Sequence, residues 1–397
     1  MQATPTPQME EARHVPTAKR LGRLLPGILL TTLIAWLSLY IAKQLGQYIL
    51  RWQGLDPQAA SSPISAVLVA ILLGMLIRNT VGLPQMVQPG IDFSLKTILR
   101  LGIVLIGIKL SLLEILAIGF WGIPVVAVSI TAGMLLVTWL NNRLRLPERL
   151  GTLIAAGTGI CGITAIVSIA PTIRANQQEV AYAAANITLF GVVGMFLYPY
   201  IAPLLLQTSE QIGVFLGIAV HETAQVMGAA LTMRDVFGDE VAFQVATVTK
   251  LTRNLFLAAV IPVLTIYYRR RENRQTTAQT THPSEEKPGK TPLLPGFILG
   301  FLLLAVLRTI GDATAAGGSA FGLLSAETWQ SLIHQLGDVW GAQYLLGSAM
   351  AGVGLNTSFA GFRSVGIKPF LVGLAGAAAV GAVGFAAAQL LGNVLQI

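Results

Sequence analysis

The chain has 397 residues, of which 54% are hydrophobic and only 11% are Asp, Glu, Lys or Arg. Soluble domains carry about 25% charged residues, so this composition, with a mean hydropathy of +0.68, indicates a protein embedded in lipid. It excludes a soluble enzyme, a nucleic-acid-binding module and a disordered scaffold. The single cysteine, Cys161, excludes a disulfide framework and any metal site built from several thiolates.

Eleven apolar segments are long enough to cross a bilayer, whose hydrocarbon core of about 30 Å needs roughly 20 residues per helix. The runs are continuous and much longer than the alternating strands of about ten residues in a membrane β-barrel. The sequence therefore predicts an all-α, polytopic membrane protein. The predicted spans 1 to 11 cover residues 25–50, 63–80, 95–115, 118–141, 150–173, 180–206, 211–233, 241–268, 293–311, 332–359 and 367–392.

Lysine and arginine are distributed unevenly between the two ends of the spans. With the N-terminus in the cytoplasm, most of them fall on the cytoplasmic side, in groups at 143–149 and 269–290. The positive-inside rule therefore predicts a cytoplasmic N-terminus and an external C-terminus, and it accounts for the net charge of +8 without nucleic-acid binding. The predicted organisation is one integral membrane unit, with a cytoplasmic tail at 1–24, spans 1 to 8 within 25–268, a cytoplasmic linker at 269–292 and spans 9 to 11 within 293–397.

Eleven spans divide into an N-terminal helix and two sets of five with opposite orientation, which is the arrangement of inverted-repeat transporters. Spans 5 and 10 occupy equivalent positions, and each has a glycine- and hydroxyl-rich interruption, at 157–164 and 352–358. We expect two crossed broken helices whose freed N-termini attract anions, although close packing through small residues is the alternative. The candidate binding residues are Thr158, Gly159, Cys161, Gly162 and Thr164 in span 5 and Asn356 and Thr357 in span 10.

Spans 7 and 8 carry polar and charged side chains near mid-membrane, where a charge costs several kcal/mol. Two cations, Lys250 and Arg253, face one acid, Glu222, so the pattern predicts a positive site for a small anion. The alternative is an internal ion pair between Glu222 and one of the cations that locks two helices together. The candidates in these spans are His221, Glu222, Gln225, Lys250, Arg253 and Asn254.

Patterns typical of enzymes and metal sites are not found in the sequence. His221 and Glu222 lack a second suitably spaced histidine, so neither a zinc site nor an HExxH metalloprotease is predicted. No catalytic residue, metal or cofactor is predicted, and the protein is not expected to be an enzyme. Cys161 is expected to react with a polar thiol reagent from one side of the membrane. Basic residues near span ends are interpreted as side chains that extend to the interface: Arg78, Arg100 and Lys109.

Several segments resemble the YeiH-type sulfate exporter family over almost all of the chain beyond the N-terminal tail. They are LGMLIRN at 73–79, RLGIVLIGIKLSL at 100–112, TGICGITAI at 158–166, VHETAQV at 220–226, KLTRN at 250–254, and AGVGLNTSF with GIKPF within 351–370. The resemblance implies a bacterial inner-membrane protein related to bile-acid symporters and cation/proton antiporters. In that group a core with two crossed broken helices moves against a scaffold.

The sequence and the resemblance together favour a secondary transporter that exports a small oxyanion or sulfonate, such as sulfate, by an elevator-type alternating-access mechanism. The alternative is a cation/proton antiporter of the same superfamily, for which Glu222 is the only deep carboxylate. A membrane scaffold without transport activity is a third class, against which the charged cluster argues. The expected partners are a small anionic substrate and the lipid bilayer, with no nucleic acid, and the oligomeric state stays open, a homodimer included.

Overall fold

The computed structural model describes residues 17–56, 62–276, 295–360 and 366–391. The described chain is almost entirely helical, which confirms the all-α prediction. Its only strands are the two-residue segments Ser319–Ala320 and Leu324–Ser325, which pair in antiparallel register.

The described helices follow one another with short connections. In chain order they are α1 Thr17–Trp52, α2 Ala66–Thr80, α3 Gln88–Phe93, α4 Leu99–Ile106, α5 Leu112–Arg143, α6 Glu148–Gly159, α7 Ile163–Ile169, α8 Gln177–Leu205, α9 Ser209–Ala219, α10 Thr223–Phe237, α11 Glu240–Leu255, α12 Leu257–Thr276, α13 Gly296–Ala315, α14 Ala326–Ile333, α15 Gly347–Asn356 and α16 Ile367–Leu391. Two π-helical segments connect α3 to α4 and α14 to α15, namely Ser94–Ile98 and His334–Leu346, and a 3₁₀ turn, Gly107–Lys109, follows α4.

Six helical stretches of the described chain are long and apolar enough to cross a bilayer. The other five predicted spans are also helical, but they are short, interrupted or partly π-helical. This pattern confirms a polytopic all-α architecture. The six stretches are Gly22–Trp52, Leu112–Arg143, Gln177–Leu205, Glu240–Tyr268, Gly296–Ala315 and Ile367–Leu390.

Large apolar side chains are exposed along the outer faces of the long helices. Leu29 and Trp36 of α1 are 64% and 63% exposed, and Phe120 and Leu135 of α5 are 70% and 67% exposed. Contiguous apolar surface of this kind is rare on monomeric soluble proteins. Contact with lipid tails accounts for it.

Several predicted boundaries differ from the observed ones. Span 3, predicted at 95–115, begins at Gln88 and ends with the 3₁₀ turn, because a reciprocal cap starts α5. The Ser111 hydroxyl accepts the Glu114 N–H at 3.2 Å, and the Glu114 carboxylate accepts the Ser111 N–H at 2.7 Å. Helix α1 starts within the predicted tail, and α12 extends into the predicted linker. The rest of the tail, 1–16, and of the linker, 277–294, lies outside the described residues.

The described helices pack into two groups. Helices α5 to α12 and α16 contact one another and form the core group, whereas α1 to α4, α13 to α15 and the π-helical segments form the flanking group. The groups meet mainly where α10 packs against α2 and α15, and where α13 packs against α5. Both interrupted helices described below belong to the core group.

Candidate functional site

Span 5 is interrupted as predicted. Helix α6 ends at Gly159, α7 begins at Ile163, and residues 160–162 connect them without helical geometry. Gly162 has φ of +73°, a conformation that glycine adopts without steric cost. The glycine-rich run 157–164 therefore produces a broken helix, as its composition indicates.

The second interruption lies in span 7. Helix α9 ends at Ala219 and α10 begins at Thr223, while Val220 and Glu222 are extended, with ψ of 133° and 144°. The two interruptions meet, because a Cβ atom placed on Gly162 would lie 3.1 Å from the Glu222 Cβ. The two broken helices whose interruptions meet are therefore spans 5 and 7.

The described part of span 10 makes its hydrogen bonds away from the two interruptions. Its turn, which contains Asn356 and Thr357, packs against α2 and α3 of the flanking group. The Asn79 amide donates to the Thr357 carbonyl at 3.0 Å and accepts the Phe359 N–H at 2.8 Å. The Gln88 amide approaches the Asn356 side chain at 3.5 Å. The structure thus does not bring Asn356 and Thr357 together with the other candidates.

Lys250, on α11, connects the two interruptions. Its side chain is fully buried, and Nζ donates to the carbonyls of Ile160, Val220 and His221 at 3.4, 3.2 and 2.5 Å. Three acceptors match the three N–H groups of an ammonium. All three N–H groups of the lysine therefore have acceptors among the backbone oxygens of the two broken helices.

Arg253, one turn further along α11, is also fully buried and makes equivalent contacts. Its Nε donates to the Gly159 carbonyl at 2.7 Å, and Nη2 donates to the Thr158 carbonyl. Its Nη1 donates to the Ile218 carbonyl at 2.5 Å and contacts the Val220 carbonyl at 3.4 Å. The guanidinium thus joins the C-terminal end of α6 to that of α9.

These contacts explain how two cations are tolerated at this depth. The last carbonyls of a helix have no intrahelical partner and carry the negative end of the helix dipole. Lys250 and Arg253 satisfy these carbonyls at two helix ends, so hydrogen bonds and opposite partial charge offset the cost of burial. Among the described residues, Glu222 forms no ion pair with either cation. The alternative interpretation as an internal Glu222 ion pair is therefore wrong.

Small residues on α9 allow α11 to approach closely enough for these contacts. A Cβ atom on Gly213 would lie 2.6 Å from the Val245 Cβ, and one on Gly217 would lie 2.7 Å from the Thr249 Cβ. Any larger side chain at either position would push the two helices apart. Close packing of α9 on α11 therefore brings Lys250 and Arg253 within hydrogen-bonding distance of the interruptions.

Two predicted site residues have other surroundings. The Gln225 amide, 1% exposed, donates to the Thr188 carbonyl of α8 at 3.2 Å and accepts the Glu222 N–H at 3.3 Å. Gln225 therefore fixes the first turn of α10 against α8. Thr164 is exposed on α7, so it points away from the buried cluster.

Several buried polar atoms around the interruptions have no hydrogen-bond partner within the described part of the chain. The Asn254 amide donates to the Thr223 hydroxyl, at the start of α10, at 3.2 Å, and Glu222 is half-buried beside it. Buried polar atoms are almost always hydrogen-bonded, so a cluster of buried polar atoms without a partner is typical of a site that binds a ligand or water. The unpartnered atoms are Thr158 Oγ1, both ring nitrogens of His221, Thr249 Oγ1 and Asn254 Oδ1.

Cys161 lies inside the first interruption and is 3% exposed. It is therefore adjacent to the carbonyls that Lys250 and Arg253 bind, as its position in the sequence indicates. The expected access of a polar thiol reagent does not apply to the conformation described, because the thiol is covered by protein.

Sequence reasoning missed a second polar cluster, at the far end of α10. The position of Lys109 near a span end predicts a side chain that extends to the interface, but Lys109 is only 11% exposed and pairs with Glu240 at 2.6 Å and Asp338 at 2.5 Å. The only indication of this cluster in the sequence is the lysine itself, which interrupts the apolar run of span 3. Arg100 is exposed, and its guanidinium lies 5.6 Å from the centre of the Phe297 ring.

Comparisons with known proteins agree with this architecture. The sequence model of the family described as "Conserved hypothetical protein 698" matches residues 26–373. A UPF0324 membrane protein of Bacillus anthracis is 31% identical over 384 residues, which cover 97% of this chain and 99% of the relative. Those of Bacillus cereus and Nitratidesulfovibrio vulgaris are each 30% identical, over 97% and 95% of this chain and 96% and 94% of the relatives. No solved structure matches the chain.

The matches span nearly the whole chain, and the family model covers the range in which all the quoted motifs lie. Together with the apolar helices, they show a protein with several membrane-spanning helices. The chain therefore belongs to the YeiH-type UPF0324 family of membrane proteins.

Proposed function

We propose that the protein is a secondary transporter that exports a small oxyanion or sulfonate of the sulfate type across a bacterial inner membrane. In this proposal the substrate binds where the interruptions of spans 5 and 7 meet, beside the first turn of α10. The observation that carries it is the presence of two fully buried cations, Lys250 and Arg253, without a carboxylate paired to either in the described chain.

The charge balance at the interruptions supports an anion. Each helix C-terminus carries about half a negative charge, so the ends of α6 and α9 cancel about one of the two positive charges. The first turn of α10 adds about half a positive charge, and Glu222 is the only carboxylate among residues 160–162 and 220–222, which form the interruptions. Protonation of Glu222 would leave a clear positive excess, which favours an anion over a metal ion.

The unpartnered atoms supply hydrogen bonds for such a substrate. A neutral His221 ring has one N–H to donate, and the hydroxyls of Thr158 and Thr249 can each donate once. The Asn254 amide can present its NH₂ group after a rotation about its terminal bond. Lys250 and Arg253 then stabilise the anion through their positive charge and not through hydrogen bonds, because their N–H groups remain bonded to the backbone carbonyls.

The division of the described helices into a core group and a flanking group supports an elevator-type movement. The interrupted helices and α11 lie together in the core group, so they can move as one unit with the substrate. An interruption at membrane depth is tolerated only where its backbone faces protein or a wet cavity. Movement of the core group would expose the interruptions to one side at a time.

A cation/proton antiporter is the second candidate, because Glu222 provides a carboxylate at the interruptions that could exchange a proton for a cation. The two candidates differ in the charge of the transported species. Purified protein in proteoliposomes should transport labelled sulfate, sulfite or a short sulfonate, with and without a pH or sodium gradient.

Transport of an oxyanion or sulfonate that saturates, and that the unlabelled anion inhibits, is the expected result. Empty liposomes and liposomes with the Lys250→Gln variant serve as controls. Transport of sodium or potassium ions against protons, with no anion transported under any gradient, would refute the proposal and favour the antiporter.

A further inference from the structure

A cavity of about 570 Å³ lies between the core group and the flanking group. Helices α1 and α2 and the π-helical segment His334–Leu346 form the flanking side of it, and Arg234 and Asp235 at the end of α10 form the core side. Glu222 caps the other end of α10, so the cavity lies about 18 Å from the interruptions at 1.5 Å per residue. It is therefore at one end of the contact surface across which the two groups would move.

Charged side chains connect the two groups beside this cavity, which Asp338 lines. The 3₁₀ turn that holds Lys109 packs on α13, α4 and the segment His334–Leu346, so it belongs to the flanking group. Lys109 of the flanking group donates to Asp338 of the same group at 2.5 Å and to Glu240 of the core group at 2.6 Å. The Ser65 hydroxyl of the flanking group donates to the Asp235 carboxylate of the core group at 3.0 Å. Lys109–Glu240 is the only ion pair between the groups in the part of the chain that the structure describes.

The surroundings of Lys109 fix its ammonium between the two carboxylates. A Cβ atom on Gly337 would lie 2.5 Å from the Lys109 Cγ, so the glycine makes room for the lysine stem. The Asp338 carboxylate is also held from the other side by His334 Nδ1 at 3.0 Å. The flanking group therefore presents a preformed cation, and Glu240 at the start of α11 is the mobile partner.

We propose that the Lys109–Glu240 pair is a latch that holds the two helix groups together on this side of the membrane and opens during each movement of the core group. This inference rests on the proposed alternating-access function but not on which solute is carried. Because Glu240 is 35% exposed and Lys109 only 11% exposed, water can solvate the carboxylate when the pair separates. Separation is therefore reversible, unlike that of a fully buried pair, where an unpaired charge is strongly destabilising.

The test measures how often the core group and the flanking group separate at their contact surface. Val67 of α2 lines the cavity, is only 5% exposed and lies on the helix that packs against α10 of the core group, so a cysteine at this position becomes accessible when the groups separate. The Val67→Cys substitution is made in a Cys161→Ser background, and labelling by a membrane-impermeant maleimide is timed in proteoliposomes. Glu240→Gln removes the negative charge that pairs with Lys109 between the groups while it keeps the size of the side chain, and Lys109→Gln is a second variant in case the first fails to fold.

The matched control is Arg308→Gln, which removes an ion pair of 2.5 Å within α13 that does not connect the groups. We expect Glu240→Gln to label roughly tenfold faster than its parent, the factor that a shift of about 1.4 kcal/mol produces, while Arg308→Gln labels at the parental rate. Unchanged labelling in Glu240→Gln would overturn the latch, and so would equal acceleration in both variants, which would indicate general loosening. Faster labelling in a protein that transports none of the tested anions would support the latch and count only against the proposed substrate.

Discussion

The structure gives Arg253 a bracing role that can be tested by the substitution Arg253→Gln. Arginine connects four carbonyls at the ends of α6 and α9, whereas a glutamine amide has two N–H groups and a shorter reach. The Val220 carbonyl keeps Lys250 as a donor, so three carbonyls depend on Arg253 alone and one or two of them lose their partner. Each unsatisfied buried group costs about 1–3 kcal/mol, so the variant should lose about 1–6 kcal/mol. That is a large share of the roughly 5–15 kcal/mol that stabilises a typical native protein.

The assay is the melting temperature of the detergent-solubilised protein, followed by size-exclusion chromatography of the folded fraction. We expect Arg253→Gln to melt roughly 1–7 °C lower, from a shift of about 1.2 °C per kcal/mol for an unfolding entropy of about 2.1 cal/mol/K per residue over 397 residues. Arg100→Gln is the control, because Arg100 is exposed and contacts only the Phe297 ring among the contacts described. Arg253→Gln protein that melts with the parent and differs only in weaker anion binding would refute the bracing role and make Arg253 a direct ligand.

Three further predictions concern packing, coupling and topology. Gly217→Ala should lower the melting temperature by several degrees, because its Cβ would lie 2.7 Å from the Thr249 Cβ. The control variant Gly296→Ala, whose Cβ would lie in open space, should leave the melting temperature unchanged. Equal melting temperatures of the two variants would contradict the close α9–α11 contact. Glu222→Gln should flatten the pH dependence of anion transport if Glu222 takes up the coupled proton, and an unchanged profile would leave it a structural role only. A periplasmic-active reporter fused after residue 397 should be active and a cytoplasmic-active one inactive, and the reverse pattern would contradict the predicted orientation.

The sequence was sufficient to predict the apolar helices and the first interruption. The length of each apolar run sets the position of a span, and Gly162 within a glycine-rich run marks a place where the helix can break. It was also possible to predict that Lys250 and Arg253 share a site with the residues around 158–162 and 221–222. These predictions rely on local composition and on the cost of charge in lipid, both of which can be evaluated without coordinates.

The second interruption could not be predicted, because its cause is not local. Residues 220–222 contain neither glycine nor proline, and an uninterrupted helix is the natural interpretation. The break instead frees the carbonyls of Val220 and His221 to bind Lys250 on another helix. A sequence motif does not show which backbone carbonyls are free to accept a hydrogen bond. The sequence therefore indicates an acidic partner for the cations, Glu222. The same limitation applies to Lys109, whose partners Glu240 and Asp338 are far apart in sequence.

Solute counterflow is the most direct measurement of small-anion transport by this protein, because it needs no gradient of a coupling ion. Proteoliposomes loaded with unlabelled sulfate or a short sulfonate are diluted into a trace of the labelled anion, and the labelled anion inside is measured over time. We expect transient accumulation above the external concentration, which is absent from protein-free liposomes and from liposomes loaded with chloride alone. Counterflow of labelled sodium, together with no counterflow of any oxyanion or sulfonate, would contradict it.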